Sequence, residues 1–281
     1  MEHSNLRVGT LYSTAWRTPL RHFGAFVQFG LGPLLLAILF CPPSYYVQSG
    51  DDSLSLTDGV FTIWDVIGFL VSLPFAAAFA APWCRLVVTE DVAAMGTPTS
   101  PFDRRTWRVA WAFLRLLFVL TSIVLVILAG LFLALGHFHD GRLSFQVDLH
   151  GLAAVPAILG SLGATIAIAW FMIRLALIIP AASMGKHLAL RESWRMTQAA
   201  QFRLLLAGIA VFLAYLATML LLLIPVSVLT ASAGVRAAFF LGLPFVFAGF
   251  AFAHALWAGF LGAAYRGLSA SIADPAAAIF E

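Results

Sequence analysis

Residues 191–230 read RESWRMTQAAQFRLLLAGIAVFLAYLATMLLLLIPVSVLT. A polar island, Arg191 to Gln198, carries the pair Trp194-Arg195, and from Leu204 to Thr230 no Asp, Glu, Lys or Arg interrupts the apolar run behind it. About 20 apolar residues of helix cross the hydrocarbon core of a bilayer. The run is long enough to do so, and an amphipathic anchor stands in front of it. The arrangement occurs twice more. AWRTPLRHF places Trp16-Arg17 before an apolar stretch, and RTWRVAWAF places Trp107-Arg108 before another.

The rest of the composition agrees. Of the 281 residues, 62% are hydrophobic and 10% charged, with a mean hydropathy of +0.96. A soluble domain carries roughly 25% charged residues and needs them to face water. A water-soluble fold is excluded. Outer-membrane strands are excluded too, because they would show segments of about 10 residues with alternating polarity. The expected class is all-α: one integral membrane domain, residues 1–281, built as a polytopic helical bundle. The net charge of +3 reads as an excess of arginine on the cytoplasmic side, so no nucleic-acid partner is expected.

Six spans are predicted, at 23–41, 61–84, 116–136, 151–180, 204–230 and 237–264, the fourth long enough to tilt. The arginines orient them. Arg7, Arg17 and Arg21, then Arg85, Arg104, Arg105 and Arg108, then Lys186, Arg191, Arg195 and Arg203 fall on one side. The opposite loops hold Arg142 and Arg236 alone. The positive-inside rule puts both termini in the cytoplasm; the use of arginine with Lys186 as the one lysine fits a GC-rich bacterial genome, and so an inner-membrane protein is expected. Cys41 and Cys84 fall at opposite ends of neighbouring spans, too far apart for a disulfide.

The three Trp-Arg pairs each open a unit of amphipathic helix, outgoing span, outer loop and returning span, with repeats at 1–96, 97–185 and 186–281. WCRLVVTEDVAAMG and IRLALIIPAASMG end the first two alike, running from Arg85 to Met95-Gly96 and from Arg174 to Met184-Gly185. The third keeps Arg266 and loses the rest. Ancestral triplication explains this. So does the preference of Trp and Arg for the membrane interface in any hairpin.

Guanidinium grips phosphate in two-pronged fashion. The headgroup-binding candidates are therefore Arg17, Arg85, Arg108, Arg174, Arg195 and Arg266, with Trp16, Trp107 and Trp194. Arg85, Arg174 and Arg266 are expected as the inner ring of a shared basic pocket beneath the bundle. Arg104, Arg108, Trp111 and Arg115 step along one helix face. The plainer reading of all these arginines is that they only set topology. Residues 187–203 are expected to form an amphipathic helix on the cytoplasmic surface, with Leu188, Leu190, Trp194 and Phe202 toward the acyl boundary. His254, inside the sixth span, most simply hydrogen-bonds within the bundle.

No Walker loop, His-Glu-x-x-His or Gly-x-Ser-x-Gly motif is present, and no pair of intramembrane carboxylates. His137, His139, Asp140 and His150 share one loop without cysteines, which is weak support for zinc. No enzyme activity, metal or cofactor is expected.

Residues 173–209 combine Arg174, Leu175, Pro180 and Ala181 with Leu190, Arg191, Ser193, Trp194, Arg195 and Thr197. This pattern resembles the bacterial membrane proteins grouped with the membrane domain of glycerophosphoryl diester phosphodiesterases. It departs from them where Met184 or Gly185 replaces an acidic residue. The 281 residues carry no soluble phosphodiesterase domain, so the resemblance implies a membrane module without that activity. The leading expectation is a non-enzymatic protein that engages anionic membrane lipid through a cytoplasmic Arg/Trp belt and supports lipid handling or envelope assembly. The alternatives are an accessory subunit of a larger membrane complex, with other membrane subunits as partners, and a transporter of lipid or small solute.

Overall fold

The structure, a computed structural model, describes residues 7–39, 63–96, 103–135, 137–139, 142–144 and 154–273. Eight helices follow in order: α1 (Val8–Arg21), α2 (Phe23–Leu39), α3 (Ile63–Thr89), α4 (Arg104–Leu135), α5 (Ala154–Leu175), α6 (Ile178–Ser183), α7 (Leu190–Thr197) and α8 (Gln201–Ala273). Among the described residues five stretches are long and apolar enough to cross a membrane: Leu70–Thr89, Arg104–Val126, Gly163–Ser183, Leu190–Leu221 and Phe247–Ala270. Their outward residues suit lipid and not water; Phe118 is 74% and Val126 72% exposed. This is the build of a multi-pass membrane protein. The first expected span, 23–41, coincides with α2, a 17-residue helix, and its last two residues lie outside the described ones.

The all-α architecture carries one small addition among the described residues. Strands β1 (His137–His139) and β2 (Arg142–Ser144) pair antiparallel, with His139 opposite Arg142. The intervening sequence is Asp140-Gly141, a pair that favours two-residue hairpins because glycine and aspartate tolerate positive φ. His137 and His139 thus sit on a strand, while Asp140 and His150 lie outside the described residues.

Helix α8 is 73 residues long. Drawn straight at 1.5 Å per residue, it would separate Gly208 from Phe260 by about 78 Å. A Cβ on Gly208 would instead stand 3.7 Å from the Phe260 ring. The element therefore doubles back on itself between them, and Pro225 and Pro244 lie inside that stretch. Its two limbs match the expected fifth and sixth spans. The fourth expected span is not one tilted helix: it breaks between α5 and α6. Pro180 has no N–H to offer the carbonyl of Ala176, and that carbonyl accepts from Ile179 in a tighter turn at 3.0 Å.

The core lies where α1 and α3 meet the second limb of α8. Lipid tails give apolar side chains no reason to leave them, so membrane helices associate through close packing of small residues. Ala251, Ala255 and Ala258 are buried along this limb. A Cβ on Gly259 would meet the Ala15 backbone at 3.3 Å, and one on Gly262 would meet Val87 at 3.0 Å. Trp83 donates its indole N–H to the Ala255 carbonyl at 3.0 Å and stacks on Phe79 at 5.7 Å. Cys84, a free thiol, is buried beside them.

The same packing decides which way the amphipathic helix at Trp16 turns its apolar side. α1 does carry the apolar stripe Leu11, Ala15 and Pro19. The stripe is buried, Ala15 against α8, and is not turned to lipid. The Trp107 segment is no separate helix either, since α4 runs unbroken from Arg104.

Candidate functional site

Hydrogen bonds gather one end of the bundle. At the start of α4, Asp103 accepts the Thr106 N–H at 2.7 Å, which satisfies an otherwise orphaned helix donor. Burial pushes the Asp103 carboxyl up, but the Thr106 hydrogen bonds and the nearby Arg85 charge outweigh it and hold it below the usual aspartate range. A lowered folded-state value means that the cap stabilises the protein fully above the unfolded-state value and is lost as pH falls through the folded one. Asp103→Ala is expected to cost about 1 kcal/mol at neutral pH. Thermal melts of the two proteins should converge as pH falls below the usual aspartate range; a pH-independent gap would contradict the cap.

Arg85 comes from the end of α3 and is buried, its Nε donating to the Ala81 carbonyl at 3.3 Å. The chain then turns through Met95, which is buried, to Gly96 at φ 85°. Arg266, from the end of α8, is ion-paired with Glu90. That pair ties the end of α3 to α8.

Arg174 is the most enclosed of the candidates, at 3% exposure. Its Nε donates to Thr197 Oγ1 at 3.1 Å, Nη1 to Gln201 Oε1 at 3.3 Å and Nη2 to the Trp194 carbonyl at 2.8 Å. The guanidinium carbon lies 3.4 Å from the centroid of Trp194 and 5.0 Å from that of Trp170. Ser193 Oγ donates to the Arg174 carbonyl at 2.6 Å. No carboxylate takes part in these contacts. The charge is held by aromatic faces and neutral acceptors, which together latch α7 onto α5. Arg174, Ser193, Trp194 and Thr197 are the parts of this latch.

The latch also reverses the expected face of the 187–203 segment. Within it α7 gives way to a tight turn at Gln198–Ala200 and then to the start of α8 at Gln201, and Glu192 caps α7 by accepting the Ala189 N–H at 2.9 Å. Ser193 and Thr197 form its fully buried side; Leu188, Leu190 and Trp194 pack against the core. Of the expected acyl-facing residues, Phe202 alone stays outward, at 72% exposure.

The three Trp-Arg pairs differ. Trp16 packs edge-on against Phe252 at 5.3 Å, Trp194 lies on Arg174, and Trp107 is exposed. Their arginines, Arg17, Arg108 and Arg195, are all exposed. His254 sits against Phe250, with Nδ1 2.9 Å from the carbonyl of that residue, a bond within its own helix.

Among the nine candidates, Arg108 lines a groove of about 190 Å³ between α4 and the segment joining α6 to α7. Arg115, Lys186 and His187 line it too, all exposed. Trp111 forms part of the wall, and Ala112 and Ile178 supply apolar surface. No carboxylate is in its lining. Arg108 Nη1 donates to the Gly185 carbonyl at 3.4 Å. Arg115 Nη1 is 3.5 Å from His187 Nε2, and its guanidinium lies 5.5 Å from the Trp111 centroid. Gly185, at φ 76°, ends α6 in the left-handed region. That turn carries Lys186 and His187 back across α4.

The face of Arg108, Trp111 and Arg115 is visible in sequence as helical spacing. Lys186 and His187 were missed as site residues. Their signal is the Met184-Gly185 pair, a helix stop that throws the next residues sideways. No family model, curated protein or solved structure matches the chain.

Proposed function

We propose that this chain is a non-enzymatic inner-membrane protein that binds the anionic headgroup of a membrane lipid in the groove between α4 and the α6–α7 turn. One observation carries the reading: Arg108, Arg115, Lys186 and His187 converge on a cavity whose lining has no carboxylate. Depth supports a lipid ligand. The groove takes in residues 108–115, the N-terminal part of α4, and the turn just past the end of the span Gly163–Ser183, which suits the level at which headgroups meet protein. The exposed Arg17 and Arg195 add charge to the same belt, and Arg85 and Arg174 support it from inside the bundle. On this reading that end of the bundle faces the cytoplasm and the protein supports lipid handling or envelope assembly.

The test is the lipid that copurifies in mild detergent, measured by mass spectrometry. Wild-type protein is expected to be enriched in anionic lipid relative to the membrane it came from. The triple variant Arg108→Gln, Arg115→Gln, Lys186→Gln should lose that enrichment while keeping the wild-type melting temperature. Equal enrichment in both proteins would overturn the reading.

A further inference from the structure

The groove does not present its charge as one cluster. Arg108 and Arg115 are seven residues apart on α4, so their backbones are separated by about 10 Å along the axis. The segment after α6 crosses them. At one end, Arg108 is held by the Gly185 carbonyl, with Lys186 next in the chain. At the other, Arg115 is held by His187 and by the face of Trp111. Trp111 stands between the two arginines on the same face of α4. Each end thus pairs a guanidinium with a second nitrogen donor, Lys186 in one case and in the other His187, whose Nδ1 carries the ring proton while Nε2 accepts from Arg115.

A single phosphate fits this arrangement poorly. To touch both arginines it would have to pull each away from the contact that now holds it. Two phosphates on a short linker fit without that rearrangement, one at each end, with the linker passing Trp111. Two negative charges also match the fixed charges of Arg108, Arg115 and Lys186 better than one does, given that the lining has no acid to offset them.

We infer that the groove selects a lipid bearing two phosphodiesters joined by a short polyol, the chemistry of diphosphatidylglycerol, over a lipid bearing one. The inference rests on the reading of the groove as a headgroup site and adds the class of headgroup.

The experiment is native mass spectrometry of delipidated protein titrated with three defined lipids: diphosphatidylglycerol, phosphatidylglycerol at twice the molar concentration, and phosphatidylcholine. Diphosphatidylglycerol is expected to be retained about tenfold better than phosphatidylglycerol, since each charged hydrogen-bonded contact is worth roughly a factor of ten. Arg108→Gln and Arg115→Gln, singly, should each bring its retention down to the phosphatidylglycerol level. Arg21→Gln, an exposed arginine on α1 outside the groove, should leave it unchanged. Equal retention of the two anionic lipids, both above phosphatidylcholine, would overturn the two-phosphate inference and leave the headgroup site standing. Retention of all three alike would overturn the headgroup site itself. A loss of selectivity in Arg21→Gln equal to that in Arg108→Gln would show general surface charge at work and would also overturn the inference.

Discussion

Arg174→Leu is expected to lower the melting temperature more than neutralising any exposed arginine of this chain. The substitution removes three hydrogen bonds from a charged donor and two aromatic contacts. Hydrogen bonds to charged groups contribute roughly 1.5–3 kcal/mol each and are not additive. Thr197 Oγ1 still lies 3.0 Å from the Trp194 carbonyl and donates to it, so that acceptor is not orphaned. The net cost is therefore put at about 2–4 kcal/mol. Arg174→Lys should fall between, because an ammonium keeps the charge but loses the flat face and the fork that reaches three acceptors. Cys84 provides the readout: in a Cys41→Ser background its buried thiol becomes alkylated as the bundle opens on heating. Trp194→Ala should lower the midpoint as well, and the double variant should lower it by less than the sum. A midpoint unchanged in Arg174→Leu would mean that α7 is held by something other than the latch.

Gly259→Leu is expected to be nearly as damaging, through a different physical cause. A Cβ at 259 already meets the Ala15 Cα at 3.3 Å and its carbonyl oxygen at 3.4 Å. Those are backbone atoms, so no rotamer change relieves the contact, and a full leucine must push α1 away from α8. Overpacking of this kind costs about 1–3 kcal/mol. Here it also opens the edge contact of Trp16 on Phe252. Gly259→Ala should be milder, because the neighbour need give only a few tenths of an ångström. The same Cys84 alkylation melt checks both; a Gly259→Leu protein melting with wild type would show that the Ala15 contact is not close in the folded protein.

The two predictions concern residues that sequence reading treats unequally. Arg174 is conspicuous, a charge flanked by WFMI and LALIIP, and two roles fit it there: an interfacial anchor or a buried functional charge. It is neither at lipid nor free inside the membrane, because α7 folds back and covers it with Trp194. Gly259 is inconspicuous among many small residues, and only the passage of α1 across it shows why a side chain is excluded. The groove was half legible. Arg108, Trp111 and Arg115 follow from helical spacing on one element, whereas Lys186 and His187 reach it through a turn whose direction depends on Gly185 adopting positive φ.

Composition and run length by themselves determined the class of this protein. Twenty or more uncharged residues cannot be hidden from water in a chain with 10% charge, so the long apolar helices and the reversal within residues 201–273 follow from local hydropathy and helix rise, whereas the start of α4 at Arg104 and the break between α5 and α6 do not. Tertiary structure decided what each amphipathic segment does with its two faces. A stripe that suits lipid also suits another helix, so Leu11 and Ala15 in α1 could be assigned to the core only by the position of α8. For the same reason the polar pair Ser193 and Thr197 belongs to the buried side of α7: a guanidinium and a carbonyl wait there, supplied by Arg174 from a helix that is separate in sequence.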